Sequence, residues 1–208
     1  MKIKKNNIWK LALVACLIVL SIAGSSLAYF TDIDHKTNVF TAGNVDITLT
    51  QNETTTRLYP GQSYTQTATI ANVGTEDAFV GAIITIPVPN DADPAVLTDE
   101  AVVGILNIPD GLKTAWVKDN TGYTVYVLAD TALAKPTDGV TATVDVLTGI
   151  VIPTAWGNNE MALFNNVSIK VTAYAVQTVG FNNDAEAALK AAFEAAWPSS
   201  LTFASAQP

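Results

Sequence analysis

The strongest constraint on this chain is an alternation of side chains with period two, repeated in stretch after stretch. In "AFVGAIITIPV", Val80, Ala82, Ile84, Ile86 and Val88 fall on one face. "GYTVYVL" puts Tyr123, Val125 and Val127 together, and "NVSIKVTAYAVQ" sets Val167, Ile169, Val171, Ala173 and Ala175 against Lys170, Thr172 and Tyr174. "SYTQTATIANV" separates Tyr64, Ala68 and Ile70 from Thr65, Thr67 and Thr69. Successive side chains of a strand point to opposite faces, so this spacing builds the buried face of a sheet and not the stripe of a helix. Valine, isoleucine, threonine and tyrosine are also the residues that fit a pleated, half-buried surface. Pro60-Gly61, Asn72-Val73-Gly74, Asp110-Gly111, Asn120-Thr121-Gly122 and Asp138-Gly139 supply turns between these runs. The pattern predicts a mainly β chain, an antiparallel jelly-roll-type β-sandwich with one or two short helices.

Two segments break the alternation. "DPAVLTDEAVVGILN", from Asp93 to Asn107, is a helix candidate whose Pro94 suits a first turn. In "NDAEAALKAAFEAAW", Asn183 is placed to cap and Glu186 follows at the capping-box spacing. Leu189, Phe193 and Trp197 then recur every four residues as one apolar stripe, Glu186 pairs with Lys190, and Pro198 ends the run. A helix over 184–197 is expected, with its stripe on the sandwich or offered to a partner, and a flexible tail over 199–208.

The start of the chain is of another kind. Lys2, Lys4, Lys5 and Lys10 precede an unbroken apolar run from Leu11 to Leu20, and Ser26 and Ala28 stand as the small residues before a cleavage point at Tyr29. The apolar run is shorter than the roughly 20 residues of a spanning helix. Residues 1–28 therefore read as a secretory signal peptide, 29–41 as an N-terminal arm, and 42–198 as the sandwich domain. Removing the signal takes away the one cysteine and four of the eleven basic residues, leaving seven basic against 19 acidic, a formal charge of −12. So acidic a surface argues against nucleic acid and anionic membranes as partners. With no cysteine left, packing alone must hold the remaining domain together.

The search for chemistry returns little. His35 is the one histidine and lies in the arm. A Cys nucleophile and a thiolate zinc site have no cysteine after cleavage, and the His-Glu-x-x-His, Gly-x-Ser-x-Gly and Walker patterns are absent. No catalytic, cofactor or metal residues are expected, and the chain does not read as an enzyme. Asp91 and Asp93, with Asp99 and Glu100 nearby, offer oxygens for calcium but lack the EF-hand glycine and terminal glutamate, so they read as solvated loop charges. Asn52-Glu53-Thr54 and Asn166-Val167-Ser168 match the glycosylation pattern. Trp116 and Trp156 are expected in the core, with aromatic contact to a ligand as the alternative.

The runs "LAYFTD" and "NVFTAGNVDITL" behind a signal resemble the start of the TasA/camelysin family of Gram-positive secreted proteins. "LYPGQSYTQTATIANVGTEDAFV" (Leu58 to Val80) is similar to that family's Pro-Gly turn, strand and Asn-x-Gly turn, and "VSIKVTAYAVQTVGF" to its late strand. The resemblance implies a jelly-roll subunit of biofilm matrix or cell-surface fibres, secreted and released by a SipW-type signal peptidase at Ser26, Ala28 and Tyr29. It also implies assembly with identical subunits, head to tail, and an accessory matrix or anchoring protein as a further partner. In such fibres the freed arm of one subunit completes a sheet of the next, and Tyr29, Phe30, Ile33, Val39 and Phe40 are the apolar anchors suited to that donor-strand role. The arm folding back onto its own sheet is the other outcome. The name camelysin carries a rival expectation, a surface metalloprotease; a monomeric surface adhesin is the third.

Overall fold

The computed structural model describes residues 31–34, 45–52, 58–87, 97–164 and 168–205. Within them the alternating runs form antiparallel strands. These are β1 (Thr31–Asp34), β2 (Ile47–Gln51), β3 (Ser63–Tyr64), β4 (Ala68–Asn72), β5 (Ala78–Ile86), β6 (Leu106–Asn107), β7 (Leu112–Asp119), β8 (Gly122–Ala129), β9 (Thr143–Leu147), β10 (Gly149–Val151), β11 (Lys170–Gln177) and β12 (Ala204–Ser205). Three short helices join them among the described residues, one more than the sequence suggests: α1 (Asp99–Val103), α2 (Asn158–Leu163) and α3 (Ala185–Ala192).

A six-stranded sheet, in the order β1-β11-β5-β8-β7-β12, forms the backbone of the molecule. Two three-stranded sheets, β3-β10-β6 and β2-β4-β9, cover one of its faces. The faces read from the sequence are the ones buried there. Val80, Ala82, Ile84 and Ile86 of β5 meet Val125 and Val127 of β8 and Val171, Ala173 and Ala175 of β11, with Ile47, Ile70, Val146, Leu147 and Ile150 from the small sheets opposite. Fully burying such side chains stabilises by about 1.5–3 kcal/mol each, which is what holds together layers that no disulfide joins. The layering is that of a β-sandwich.

The expected strand from Ser63 through Val73 divides in two. β3 and β4 pair in different small sheets, and the β4–β9 register shifts between Ala68 and Thr69. Next to this corner the Asn72-Val73-Gly74 turn is fixed by a buried side chain. Asn72 donates through Nδ2 to the carbonyls of Glu76 (2.9 Å) and Leu133 (3.0 Å), while its Oδ1 accepts from the Gly74 N–H at 3.0 Å. All of its amide groups are thereby satisfied in a site with no water contact, as burial of a polar group demands. The Pro60-Gly61 turn needs glycine for a different reason, because Gly61 has φ +73°.

The other face of the large sheet is also apolar, which the one-faced alternation did not suggest. Phe79, Tyr126, Leu128, Tyr174 and Val176 form a second core with Ala185, Ala188 and Leu189 of α3, and with Phe193, Trp197 and Leu201 beyond it. The stripe of Leu189, Phe193 and Trp197 thus packs on the sandwich. The helix itself is shorter than the 184–197 expected and starts differently. Asn182 and Asn183 both have positive φ (+49° and +61°), and Asp184 is the cap, its Oδ1 accepting from the Ala187 N–H at 2.9 Å. The helix ends at Ala192, and a separate turn, with the Trp197 N–H on the Phe193 carbonyl at 2.7 Å, brings the Trp197 ring edge against Gly81 of β5. Gly81 makes the seat: a Cβ there would lie 2.6 Å from the indole ring. Tyr126, Tyr174 and Phe203 surround the ring at centroid distances of 5.5, 6.0 and 5.9 Å. Its Nε1 is buried without a hydrogen-bond partner.

The first expected helix is also reduced. α1 is capped by Thr98, whose Oγ1 accepts from the Ala101 N–H at 3.2 Å, and closes at the C-cap Gly104. Pro94, and the Asp91 and Asp93 carboxylates considered for calcium, lie outside the described residues, as does the rest of the run before Leu97.

Candidate functional site: the edges of the large sheet

A sheet exposes unpaired backbone groups only at its edge strands, and those groups are where another chain can add. On one edge stands β1. It runs antiparallel to β11, with Thr31 opposite Val176, Asp32 opposite Ala175, Ile33 opposite Tyr174 and Asp34 opposite Ala173. Threonine and isoleucine at alternate positions favour the extended backbone this requires. Beneath it β11 is buried over Val171–Gln177, while pairing along its whole length with β5. In the single chain, then, a segment of the arm is the outermost strand of its own sheet. Of the residues expected at the donor interface, Ile33 lies within β1; Tyr29, Phe30, Val39 and Phe40 lie outside the described residues. So do Ser26 and Ala28 of the expected cleavage point, and His35.

The opposite edge belongs to β7. β12 covers only its beginning, Ala204 facing Thr114 and Ser205 facing Lys113. Beyond that, Trp116 and Val117 are 37% and 40% exposed. Trp116 therefore departs from the expected core position, because the strand that would shield it stops short. Trp156 does lie in the core, its ring 4.9 Å from that of Phe164.

One charged constellation escaped the sequence reading. Asp99, at the start of α1, receives Lys118 Nζ at 2.7 Å and the Tyr123 hydroxyl at 2.6 Å on the same oxygen. The Lys118 hydrogen bond, then that of Tyr123, holds the Asp99 carboxyl below the usual carboxylate range. Asp99 in turn raises Lys118, and burial, reinforced by Asp99, pushes Tyr123 up. These shifts keep all three groups in their resting protonation states at neutral pH, so the cluster pins α1 to the β7–β8 hairpin and has no group poised to move a proton. No sequence spacing announces it, since the three residues meet only after the hairpin has formed. Among the described residues no group of three or more His, Cys, Asp and Glu side chains is arranged to hold a metal, and no helix is long and apolar enough to cross a membrane.

No curated protein and no solved structure matches the chain. Residues 3–85 match the family model described as camelysin metallo-endopeptidase. That stretch runs into β5 and contains β1, the strand that pairs at the sheet edge. It also holds most of the runs on which the resemblance was drawn, and the match supports the chain's membership of the TasA/camelysin family.

Proposed function

We propose that this chain is a secreted structural subunit of extracellular or cell-surface fibres, released by a signal peptidase and assembled by exchange of its N-terminal arm between identical copies. The observation that carries the reading is the position of β1. Among the described residues it has a strand on one side only, β11, so that an identical strand from a neighbour could take its place there. Head-to-tail exchange of one such strand per subunit generates an open filament whenever the rotation between copies does not close. The signal acts as the switch: while residues 1–28 are attached, Tyr29 has no free end to thread into a neighbour's edge.

The test compares the chain starting at Tyr29 with the same chain lacking Tyr29 to Asn38 and with a Phe30→Asp/Ile33→Asp double variant. Linear assemblies in negative stain are expected from the first, and folded monomers by sedimentation from the other two, since a carboxylate in an apolar groove without a partner is strongly disfavoured. Filaments from the arm-deleted chain would overturn the reading.

The description of the matching family favours a second reading, a surface metallo-endopeptidase. With one histidine in the chain, a zinc site would have to gather carboxylates around His35. Stoichiometric zinc in the purified protein, with casein cleavage lost on His35→Ala, would establish that reading instead.

A further inference from the structure

Two cores flank the large sheet, and among the described residues they share no side chain. The outer one is closed by a single stretch of chain, residues 185–201, and the only strand pairing beyond it is that of the two-residue β12. The connection from β11 passes through Gly180, Asn182 and Asn183, all at positive φ (+97°, +49° and +61°). Glycine and asparagine enter that left-handed region more readily than other residues. One connection, one covered sheet face and a core of its own make this segment a lid.

Its own fold is held by one side chain. Lys190, on α3, donates from Nζ to Glu186 Oε1 (2.8 Å), to the Leu201 carbonyl (2.7 Å) and to the Ser199 carbonyl (3.3 Å). Its side chain is 16% exposed, so these hydrogen bonds are largely shielded from competing water. Against this stands the Trp197 N–H, which has no partner while the lid is closed and gains water when it opens. The lid bears on the arm's strand through β11. Thr31 and Ile33 of β1 stand opposite Val176 and Tyr174, and both of those side chains belong to the outer core. Tyr174 lies 5.0 Å from the Phe193 ring and 6.0 Å from the Trp197 ring, centre to centre. The other two positions of β1 stand opposite Ala175 and Ala173, which belong to the main core. Among the described residues β1 pairs with no strand but β11, so no second neighbour holds it when β11 loosens.

We propose that the C-terminal lid, latched by Lys190, controls how firmly β1 is held on β11. Closed, it packs Tyr174 and Val176 from behind and keeps the strand seated. Open, it leaves those residues to water, and the edge strand they back is released far more often than the small sheets open. The coupling runs both ways, so a strand seated on β11 also steadies the lid. Where the arm passes between copies, as in the function proposed above, the lid sets the ease of that exchange. The coupling itself is a property of the single chain and does not depend on assembly.

Hydrogen exchange with mass spectrometry tests it on the chain starting at Tyr29, dilute enough to sediment as monomer. The variants are Lys190→Met, which removes the latch, and Phe193→Leu, which removes the ring against Tyr174 and leaves the Lys190 hydrogen bonds. In both, exchange over 31–34 is expected to quicken by about fivefold or more, together with exchange over 185–201. Exchange over 47–51 and 68–72, in the small sheets, should keep the wild-type rate. Wild-type exchange over 31–34 in a variant whose 185–201 quickens would overturn the coupling. Equal quickening of 31–34 and 68–72 would overturn it too, because the whole domain would then be opening. Unchanged exchange over 185–201 in Lys190→Met would overturn the latch. Filament formation by the same chains is read separately, in negative stain, and bears on the proposed function alone.

Discussion

Replacing Gly81 with alanine isolates the contact that joins the C-terminal segment to the sheet. The added Cβ would stand 2.6 and 2.8 Å from two indole carbons of Trp197 and 3.0 Å from Leu189 Cδ1. Both partners are fully buried, so neither ring nor leucine has open space to move into. Overpacking of this kind costs about 1–3 kcal/mol. Trp197→Ala carries a larger loss, about 3–5 kcal/mol for a buried aromatic, reduced by the relief of an indole N–H that has no partner, worth about 1–3 kcal/mol. Trp197→Leu removes the clashing ring edge and the orphaned N–H together. If the seat is as described, Gly81→Ala should cost much less in the Trp197→Leu background than in the wild type, with a coupling of about 1–2 kcal/mol. Equilibrium urea denaturation of the four proteins measures it. For a chain of this size about 1 kcal/mol also moves Tm by about 2–4 °C, an independent check. Strict additivity in the cycle would refute the direct contact, whatever the single substitutions cost.

Asn72→Ala should destabilise the domain by about 2–4 kcal/mol in the same assay, since it removes three hydrogen bonds from a buried turn and leaves the Gly74 N–H with the Asp46 carbonyl alone; a loss below about 0.5 kcal/mol would contradict that account. Lys118→Met should lower stability modestly at neutral pH, and the gap from wild type should close in acid. The Asp99 carboxyl is held low, so its contribution is present above the unfolded value of about 3.9 and is lost as pH falls through its folded value; a gap that persists fully at pH 2 would show that Lys118 acts through packing.

How far the sequence could be read follows the physics of each element. Strands announce one buried face through alternation, and Val80, Ala82, Ile84, Val125 and Val171 lie where that pattern puts them. The second core was not legible, because its sheet side mixes Phe79, Gly81 and Tyr174 with residues that also suit a solvated face, and its lid is a distant segment. The helix boundary failed at Phe193, since spacing alone cannot distinguish one long helix from a short helix followed by a turn. The Asp99–Lys118–Tyr123 cluster is purely tertiary. For the functional site, the arm as a strand-forming segment was readable, and Ile33 lies in β1. Whether it pairs only within its own chain or, as proposed, with a neighbour depends on the relative stability of two equivalent pairings, and local sequence carries no information about that.

The pairing of β1 with β11 joins Thr31 to Val176, nearly the two ends of the domain. Contacts so remote along the chain must overcome a large loop-closure entropy, and topologies built on them fold slowly. β5 and β11 are likewise far apart in sequence, although β7 and β8 of the same sheet form a local hairpin. If the chain is exported in sequence order, as the proposed function requires, its central sheet cannot be completed until residues 170–177 have crossed. On that reading the first-exported β1 has no β11 of its own to pair with until then. In the proposed assembly, that interval is when exchange with a neighbour competes with closure onto the chain's own β11.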